Sequence, residues 1–477
     1  MASDRRKGEE VAAVGEDDVP LRIGPDRPSS VHVIGIGGAG MSAIAVALQA
    51  MGHVVTGSDL KASVVTRRLT ALGIPVVIGH AAENLGPAEL VTVSTAVARD
   101  NPERREAVRR GVPVVSRSEM LAAITSLRRT VAVAGTHGKT TTASMLALVL
   151  VEAGFSPAFL IGGDVNEIGT NAVWGDGEWL VVEADESDGT FLALSPEVGV
   201  VTNVEPDHLD HYGSFPAVEA AFERFVRGVS GRAILGGDDP VGAAIAARSE
   251  AETVGVDPGC TWRLVDVTPS RSGVSAGLMG PDGLRCGVLR VPVPGLHNAR
   301  NAAMAVVAGM AVGVPFDVAA RAIARFAGVA RRFEFRGEAA GVTFVDDYAH
   351  LPTEVAAALS AARDGGWSRV VAVFQPHRYS RTQAVGTAFG PAFADADVVV
   401  VTDVYAAGEV PVPGVSGRLV ADAVRDALPR TPVTYAPTRA ELRRTLSDLL
   451  RPGDLCCTLG AGDLTSLPDE LMADPTW

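Results

Sequence analysis

Three lysines, Lys7, Lys61 and Lys139, stand in a sequence whose other basic residues are all arginine. Lys139 falls within "VAVAGTHGKTTT", between a β-like run and an apolar, helix-favouring segment. The usual phosphate loop reads G-x-x-x-x-G-K-[ST]. Here Val133 occupies the first glycine position, so this is a shortened variant. Its physics is intact. Gly135 and Gly138 let backbone N–H groups turn toward a polyphosphate, and the following helix adds its positive N-terminus. Lys139 can reach the terminal phosphates of ATP, while the Thr140 hydroxyl can ligate Mg²⁺.

A second glycine cluster precedes it. In "VHVIGIGGAGMSAIA", Gly35, Gly37 and Gly40 form G-x-G-x-x-G after a strand-like run and before a helix-like one. That pattern places a diphosphate at a helix N-terminus, and Asp59 stands about 20 residues on, near the ribose-binding acidic position. Alone, it suits an NAD-dependent dehydrogenase. A nicotinamide domain, however, builds one site from two halves of one sheet. Two phosphate loops on consecutive units fit a two-substrate enzyme better, one substrate being ATP.

Polar residues gather where further strands should end, which is where open α/β sheets bind ligands. Glu183, Asp185, Glu186 and Asp188 follow "WLVV"; Asp207, His208, Asp210 and His211 follow "VGVVTN". Carboxylates and a histidine beside a phosphate loop are candidate Mg²⁺ ligands. Four later strand ends repeat the pattern. They carry Asp346, Asp347, Tyr348 and His350; then Gln375, His377, Arg378 and Arg381; then Asp403, Tyr405 and Glu409; and last Gly460, Gly462 and Asp463. Arginines at such an edge suit a carboxylate, which the guanidinium pairs bidentately.

The elements needed to position these groups are α/β units in series. Short apolar strands alternate with helical segments from 31 to about 126, restart at "RRTVAVAG", and restart again near 328, with β-like segments over about 253–294 and an alanine-rich helix after them. The expected division is a disordered, charged tail at 1–27, then domains at 28–127, 128–327 and 328–477. A length of 477 residues, 47% hydrophobic and 21% charged, fits a multidomain globular enzyme. The net charge of −14 disfavours nucleic acid or an anionic membrane as the main partner. No apolar stretch reaches membrane-spanning length and no signal-peptide core is evident. Cys260, Cys286, Cys456 and Cys457 show neither metal-ligand spacing nor a disulfide framework, so a reduced, cytoplasmic protein is expected.

In order along the chain, "GIGGAGMSAIA", "GTHGKTTT", "EADESDGTFL", "TNVEPDHLDHYG", "PGLHNARNA", "ARRFE", "DDYAHLPTE", "QPHRYSRT", "DVYAAGE" and "LGAGD" resemble the motifs of the Mur ligases, over about residues 30 to 465. The resemblance is to the branch that joins L-alanine to UDP-N-acetylmuramate in peptidoglycan precursor synthesis. It implies a Rossmann-like UDP-binding domain, a central P-loop ATPase-like domain and a C-terminal Rossmann-like α/β domain. It also implies ATP-dependent amide ligation through an acyl phosphate, in a monomer or weak homodimer that binds no nucleic acid and inserts in no membrane. The nearest alternative is the ligase of murein recycling, which adds a tripeptide.

By this resemblance the catalytic residues are Lys139, Glu183, His208 and Arg332, with Thr140, Glu183 and His208 holding Mg²⁺. ATP would be bound by Gly135, Thr136, His137, Gly138, Lys139, Thr140, Thr141, His297, Asn298, Asn301, Arg332 and Asp347. Gly37, Gly38, Ala39, Gly40, Asp59, His80, Ser94 and Thr95 would line the UDP site, and Tyr348, His350, His377, Arg378 and Arg381 the amino-acid site. Two departures stand out. Leu351 occupies the place of a usual second histidine, and with no lysine beyond Lys139 the carbamoylated lysine of several Mur ligases has no counterpart.

Overall fold

A computed structural model describes residues 21, 23–166 and 168–473. Most of the expected tail lies outside these residues. Its end is a correction: Ile23 is buried in a core shared with the first sheet, because an apolar side chain there finds a surface to cover.

Three sheets follow one another along the chain. The first is wholly parallel, in the spatial order Val76–Ile78, Val54–Asp59, Ser30–Ile34, Leu90–Val93, Val114–Ser116. Strand order reverses beside Ser30–Ile34, which makes the glycine loop after it the switch-point crevice of a Rossmann-like sheet. The second sheet has ten strands. Arg129–Ala134, which leads into the phosphate loop, lies between Trp179–Glu183 and Val198–Val201, parallel to both. The segment read as β-like continues this sheet as an antiparallel meander, Trp262–Ser270, Gly273–Met279 and Arg285–Val291. The third sheet has six strands, five of them parallel, with Glu334–Ala339 antiparallel at its edge.

Burial explains the composition of the central elements. "VGVV" at Val198–Val201 and "VVVV" at Val398–Val401 are buried throughout, as strands covered on both faces must be. The helix Lys139–Glu152 is buried continuously from Thr141 to Leu150, wedged between its sheet and the helix Leu296–Ala311. A helix enclosed all round has no polar stripe to show, hence "SMLALVLV". This packing fixes the phosphate loop at the helix's N-terminus. Among the described residues no helix is long and apolar enough to cross a membrane.

Candidate active site

Two cavities meet at the phosphate loop. The smaller, about 380 Å³, lies between the second and third sheets and is lined by His137, Gly138, Thr141, His297, Asn298, Asn301, Arg332 and Asp347, among others. The larger, about 680 Å³, is bounded by all three α/β units. It gathers Gly38, Ala39, Gly40 and Ser94 from the first, Thr136, Lys139, Thr140, Glu183 and His208 from the second, and Arg332, Tyr348, His350, His377, Arg378 and Arg381 from the third. Gly37, Asp59, His80, Thr95 and Gly135 do not line either cavity.

The phosphate loop is built on two positive-φ glycines. Gly135 has φ +129° and a Cβ there would overlap Thr202 Oγ1; Gly138 has φ +80° and its Cβ would lie 2.6 Å from Asn301 Oδ1. The loop's own lysine fills it. Lys139 Nζ donates to the carbonyls of Gly135 (2.6 Å) and Thr136 (3.2 Å) and pairs with Glu186 Oε1 at 2.8 Å. Burial opposes the lysine's charge, but Glu186 outweighs it and the Lys139 pKa is raised. Burial pushes Glu186 up to about 7 against the pull of Lys139, and its Oε2 is buried without a hydrogen bond among the described residues.

Glu183, at the end of its strand, accepts from Thr140 Oγ1 (3.1 Å) and from the Gly162 N–H (2.7 Å). His208 has a left-handed backbone, φ +52°, which turns its ring toward Asp207 (3.3 Å) and Glu186 (3.8 Å). Burial lowers the His208 pKa, so the imidazole is neutral and has a nitrogen lone pair to give. Among the described residues no three His, Cys, Asp or Glu side chains converge into a complete metal cage. Mg²⁺ asks for less, because it keeps waters and binds through one or two carboxylates plus substrate phosphates. Thr140, Glu183, His208 and the orphaned oxygen of Glu186 fit that donor set.

At the far wall of the smaller cavity, burial, Arg300 and Arg332 lower the His297 pKa to about 4, so its ring is neutral. Asn298 Nδ2 donates to the Pro294 carbonyl, which holds the amide at the helix start. Asp347 accepts the N–H groups of Phe333 (2.7 Å) and Ala349 (2.8 Å), and burial raises its pKa to about 6. The Arg332 guanidinium lies over the Tyr348 ring, 5.1 Å from its centroid.

The residues expected at the amino-acid site form a ladder of rings and guanidinium groups. Tyr348 and His350 are 5.3 Å apart, His350 and His377 6.0 Å, and His377 stacks on Tyr405 at 5.8 Å. Arg381 reaches His377 Nδ1 (3.3 Å) and Asp207 (3.3 Å), tying the third domain to the second. Arg378 is held at φ +69° while its N–H donates to the Tyr405 carbonyl at 2.8 Å. Burial, then His350 and the arginines, lower the His377 pKa to about 4. Positive charge in this corner therefore belongs to the arginines.

Asp59 was expected beside ribose or uridine. Its Oδ2 accepts the Gly37 N–H at 2.9 Å, so it pins the glycine loop from behind. His80 bonds instead into a buried cluster with Ser58 (3.0 Å) and Glu103 (3.3 Å). Leu351 is 5% exposed, and the Leu351 and His350 N–H groups both donate to Glu354. The departure from the usual histidine is an apolar packing position here.

Three groups escaped the sequence reading. Glu354 receives His137 Nδ1 at 3.0 Å from across the interdomain cleft, and Glu205 receives His137 Nε2 at 3.2 Å. Burial opposes the charges, but His350 and His137 hold Glu354 well below the usual carboxylate range, and the two glutamates raise His137 to about 9. The third is Arg117, which crosses from the first domain to Asp185 and Asp188. Its signal was available, since it directly follows the strand Val114–Ser116. Glu354 could have been found as the carboxylate three residues into a proline-initiated helix, where capping groups stand.

Family models match in chain order: the Mur ligase family catalytic domain over 30–129, the Mur ligase middle domain over 133–309, and the Mur ligase glutamate ligase domain over 331–462. A UDP-N-acetylmuramate–L-alanine ligase of Pelotomaculum thermopropionicum is 47% identical over 94% of this chain and 98% of its own length. One of a Bradyrhizobium species is 46% identical over 95% and 99%. The crystal structure of the UDP-N-acetylmuramate–alanine ligase of Thermotoga maritima superposes with a TM-score of 0.80 at 30% identity, covering 93% of this chain and 98% of that one. A murein peptide ligase of Psychrobacter arcticus shares the fold, with a TM-score of 0.67 at 24% identity over 93% and 98%. With three successive family models spanning most of its length and relatives matched nearly end to end, the chain belongs to the Mur ligase family.

Proposed function

We propose that this protein joins L-alanine to the lactyl carboxylate of UDP-N-acetylmuramate at the expense of ATP, in the cytoplasm, where ATP and the UDP-sugar are available. The observation that carries the proposal is the meeting of two cavities at His137 and Gly138, next to Lys139, one suited to a nucleotide and one running from the glycine loop to the arginine corner.

A carboxylate is a poor acyl donor at neutral pH. Its oxygen attacks the γ-phosphorus of ATP, the bond from that phosphorus to the β-γ bridging oxygen breaks, and ADP leaves. The alanine nitrogen then attacks the acyl-phosphate carbonyl, the carbon–oxygen bond to phosphate breaks, and the amine sheds its proton. Both steps need alignment and charge neutralisation more than covalent help. Ala39 and Gly40 offer N–H groups to the UDP diphosphate, on a loop whose Gly37 N–H is held by Asp59, at a helix start that has no side-chain cap and no acidic residue in its first turn. Lys139 exchanges Glu186 and two carbonyls for the transferring phosphoryl group. His297, Asn298 and Asn301 surround the nucleotide base and ribose, with Arg332 and Asp347 closing from the third domain. Arg378 and Arg381 face the carboxylate of alanine beside Tyr348, His350 and His377. Mg²⁺ held by Thr140, Glu183 and His208 would neutralise charge on the phosphates.

ADP release measured with UDP-N-acetylmuramate present and the acceptor varied tests this. L-Alanine should support turnover. Release with a peptide acceptor and none with L-alanine would reassign the enzyme to tripeptide ligation.

A further inference from the structure

Arg117 opens the helix Arg117–Thr125 of the first domain and has no task in the function proposed above. Its side chain is 16% exposed and lines the larger cavity beside Gly38, Ala39 and Gly40. All its ion pairs run through one nitrogen. Nη2 donates to Asp185 Oδ2 (3.0 Å), to both oxygens of Asp188 (2.9 Å each) and to Thr190 Oγ1 (3.4 Å), all from the central domain. Nε is buried and has no hydrogen-bond partner among the described residues. Nη1 lies 3.1 Å from the point a Cβ on Gly40 would occupy, so the guanidinium presses on the glycine loop itself.

A tie between two domains explains Nη2 and leaves the rest of the group unexplained. Taking the glycine loop as the diphosphate cradle, we infer that Arg117 binds the diphosphate of the UDP-sugar while remaining paired with Asp185 and Asp188. One cation is thereby shared between the substrate's diphosphate and the acidic strand end that carries Glu183 and Glu186. The arrangement sets the span from diphosphate to phosphate loop, which is the span the muramyl group must bridge. It also accounts for glycine at position 40: a side chain there would stand between the loop and the guanidinium.

The test compares UDP with uridine, which lacks the phosphates, by calorimetry on the full-length chain. Arg117→Ala should weaken UDP binding by about 10- to 100-fold, the worth of a charge-assisted hydrogen bond, and leave uridine binding unchanged. The KM for the UDP-sugar should rise in step, with the KM values for ATP and alanine unmoved. A merely structural Arg117 would change UDP and uridine affinity alike, or neither, and either result overturns the inference. Asp188→Asn provides a reading that does not remove the arginine. Freed of a competing carboxylate, Arg117 should bind UDP more tightly with uridine unchanged; weaker or equal UDP binding counts against the inference. A wild-type protein that binds no UDP and releases no ADP with UDP-sugar and alanine removes the proposed function and this role with it. Normal wild-type turnover with an unaltered UDP-to-uridine ratio in Arg117→Ala removes this role alone.

Discussion

The most exposing perturbation of this reasoning is Glu354→Gln. His137 belongs to the phosphate loop, and its ring spans the cleft to Glu354 at 3.0 Å while Glu205 of its own domain holds it at 3.2 Å, with 14% of its side chain exposed. Burial alone would strip the ring of its proton; the two carboxylates reverse that and raise its pKa from 6.5 to about 9. A shift of that size corresponds to about 3 kcal/mol of preference for the charged ring in the closed cleft. Because the folded pKa is raised, this contribution is complete below pH 6.5 and is lost as pH climbs through about 9. Glu354 is the strongest attractive partner of the ring, so replacing it with the isosteric amide should lower the His137 pKa back toward its ordinary value. The assay is a nitrogen-15 histidine NMR titration of the ligand-free protein, with His137→Gln assigning the resonance. Amide exchange in the helix Pro352–Asp364 should also quicken in Glu354→Gln, since the His350 and Leu351 N–H groups lose a carboxylate acceptor. A His137 that titrates near 6.5 in the wild type, or near 9 in both proteins, would refute the ion pair and its role in holding the cleft.

Lys139→Ala should abolish ADP release while the UDP-sugar still binds in calorimetry, because Lys139 faces the phosphoryl site and the glycine loop belongs to another domain. Gly138→Ala should weaken ATP binding by tenfold or more, on the order of the cost of a strained φ and a Cβ 2.6 Å from Asn301 Oδ1, read by nucleotide titration. Asp59→Asn should raise the KM for the UDP-sugar about tenfold with kcat little changed, since the carboxylate acts by pinning the Gly37 N–H. Cys456 and Cys457 should resist thiol reagents at pH 8 until the protein unfolds, because burial holds Cys456 at about 12 and Cys457 far above its ordinary value.

The three α/β units could be read in the sequence because parallel strands buried on both faces leave unbroken apolar runs, and "VAVA" or "VVVV" mean little else. The phosphate loop could be read because only glycine serves at Gly135 and Gly138. Asp59 was legible from its distance along the chain, but its bond to the Gly37 N–H was not, because that contact depends on how the strand end faces the glycine loop. His80 bonds into the buried Glu103 cluster, a partnership that its spacing in the sequence does not disclose. Glu354, Glu205 and Arg117 were missed for a common reason. Each acts across a domain boundary, Glu205 by accepting from Thr353 Oγ1 of the third domain at 2.6 Å, and sequence spacing carries no information about which surfaces of separate units will face one another.

Those boundary-crossing pairs share one property. Arg117 with Asp185 and Asp188, His137 with Glu354, and Arg381 with Asp207 join the first domain to the second or the second to the third. Every cation among them lines a cavity assigned to a substrate: Arg117 beside the glycine loop, His137 in the nucleotide pocket, Arg381 at the arginine corner. Buried pairs of this kind contribute little net stability, since desolvation offsets most of their attraction, yet breaking one by removing a partner is costly. An anionic substrate entering such a site brings a second acceptor to a cation already paid for in desolvation. The substrate anion and the interdomain carboxylate then draw on the same cation, so binding at the subsite and the strength of the interdomain contact are coupled. Closure of the domains and occupancy of the three subsites are then linked through the same side chains, and a change to any one cation should alter affinity at its own subsite and the closure of the cleft together.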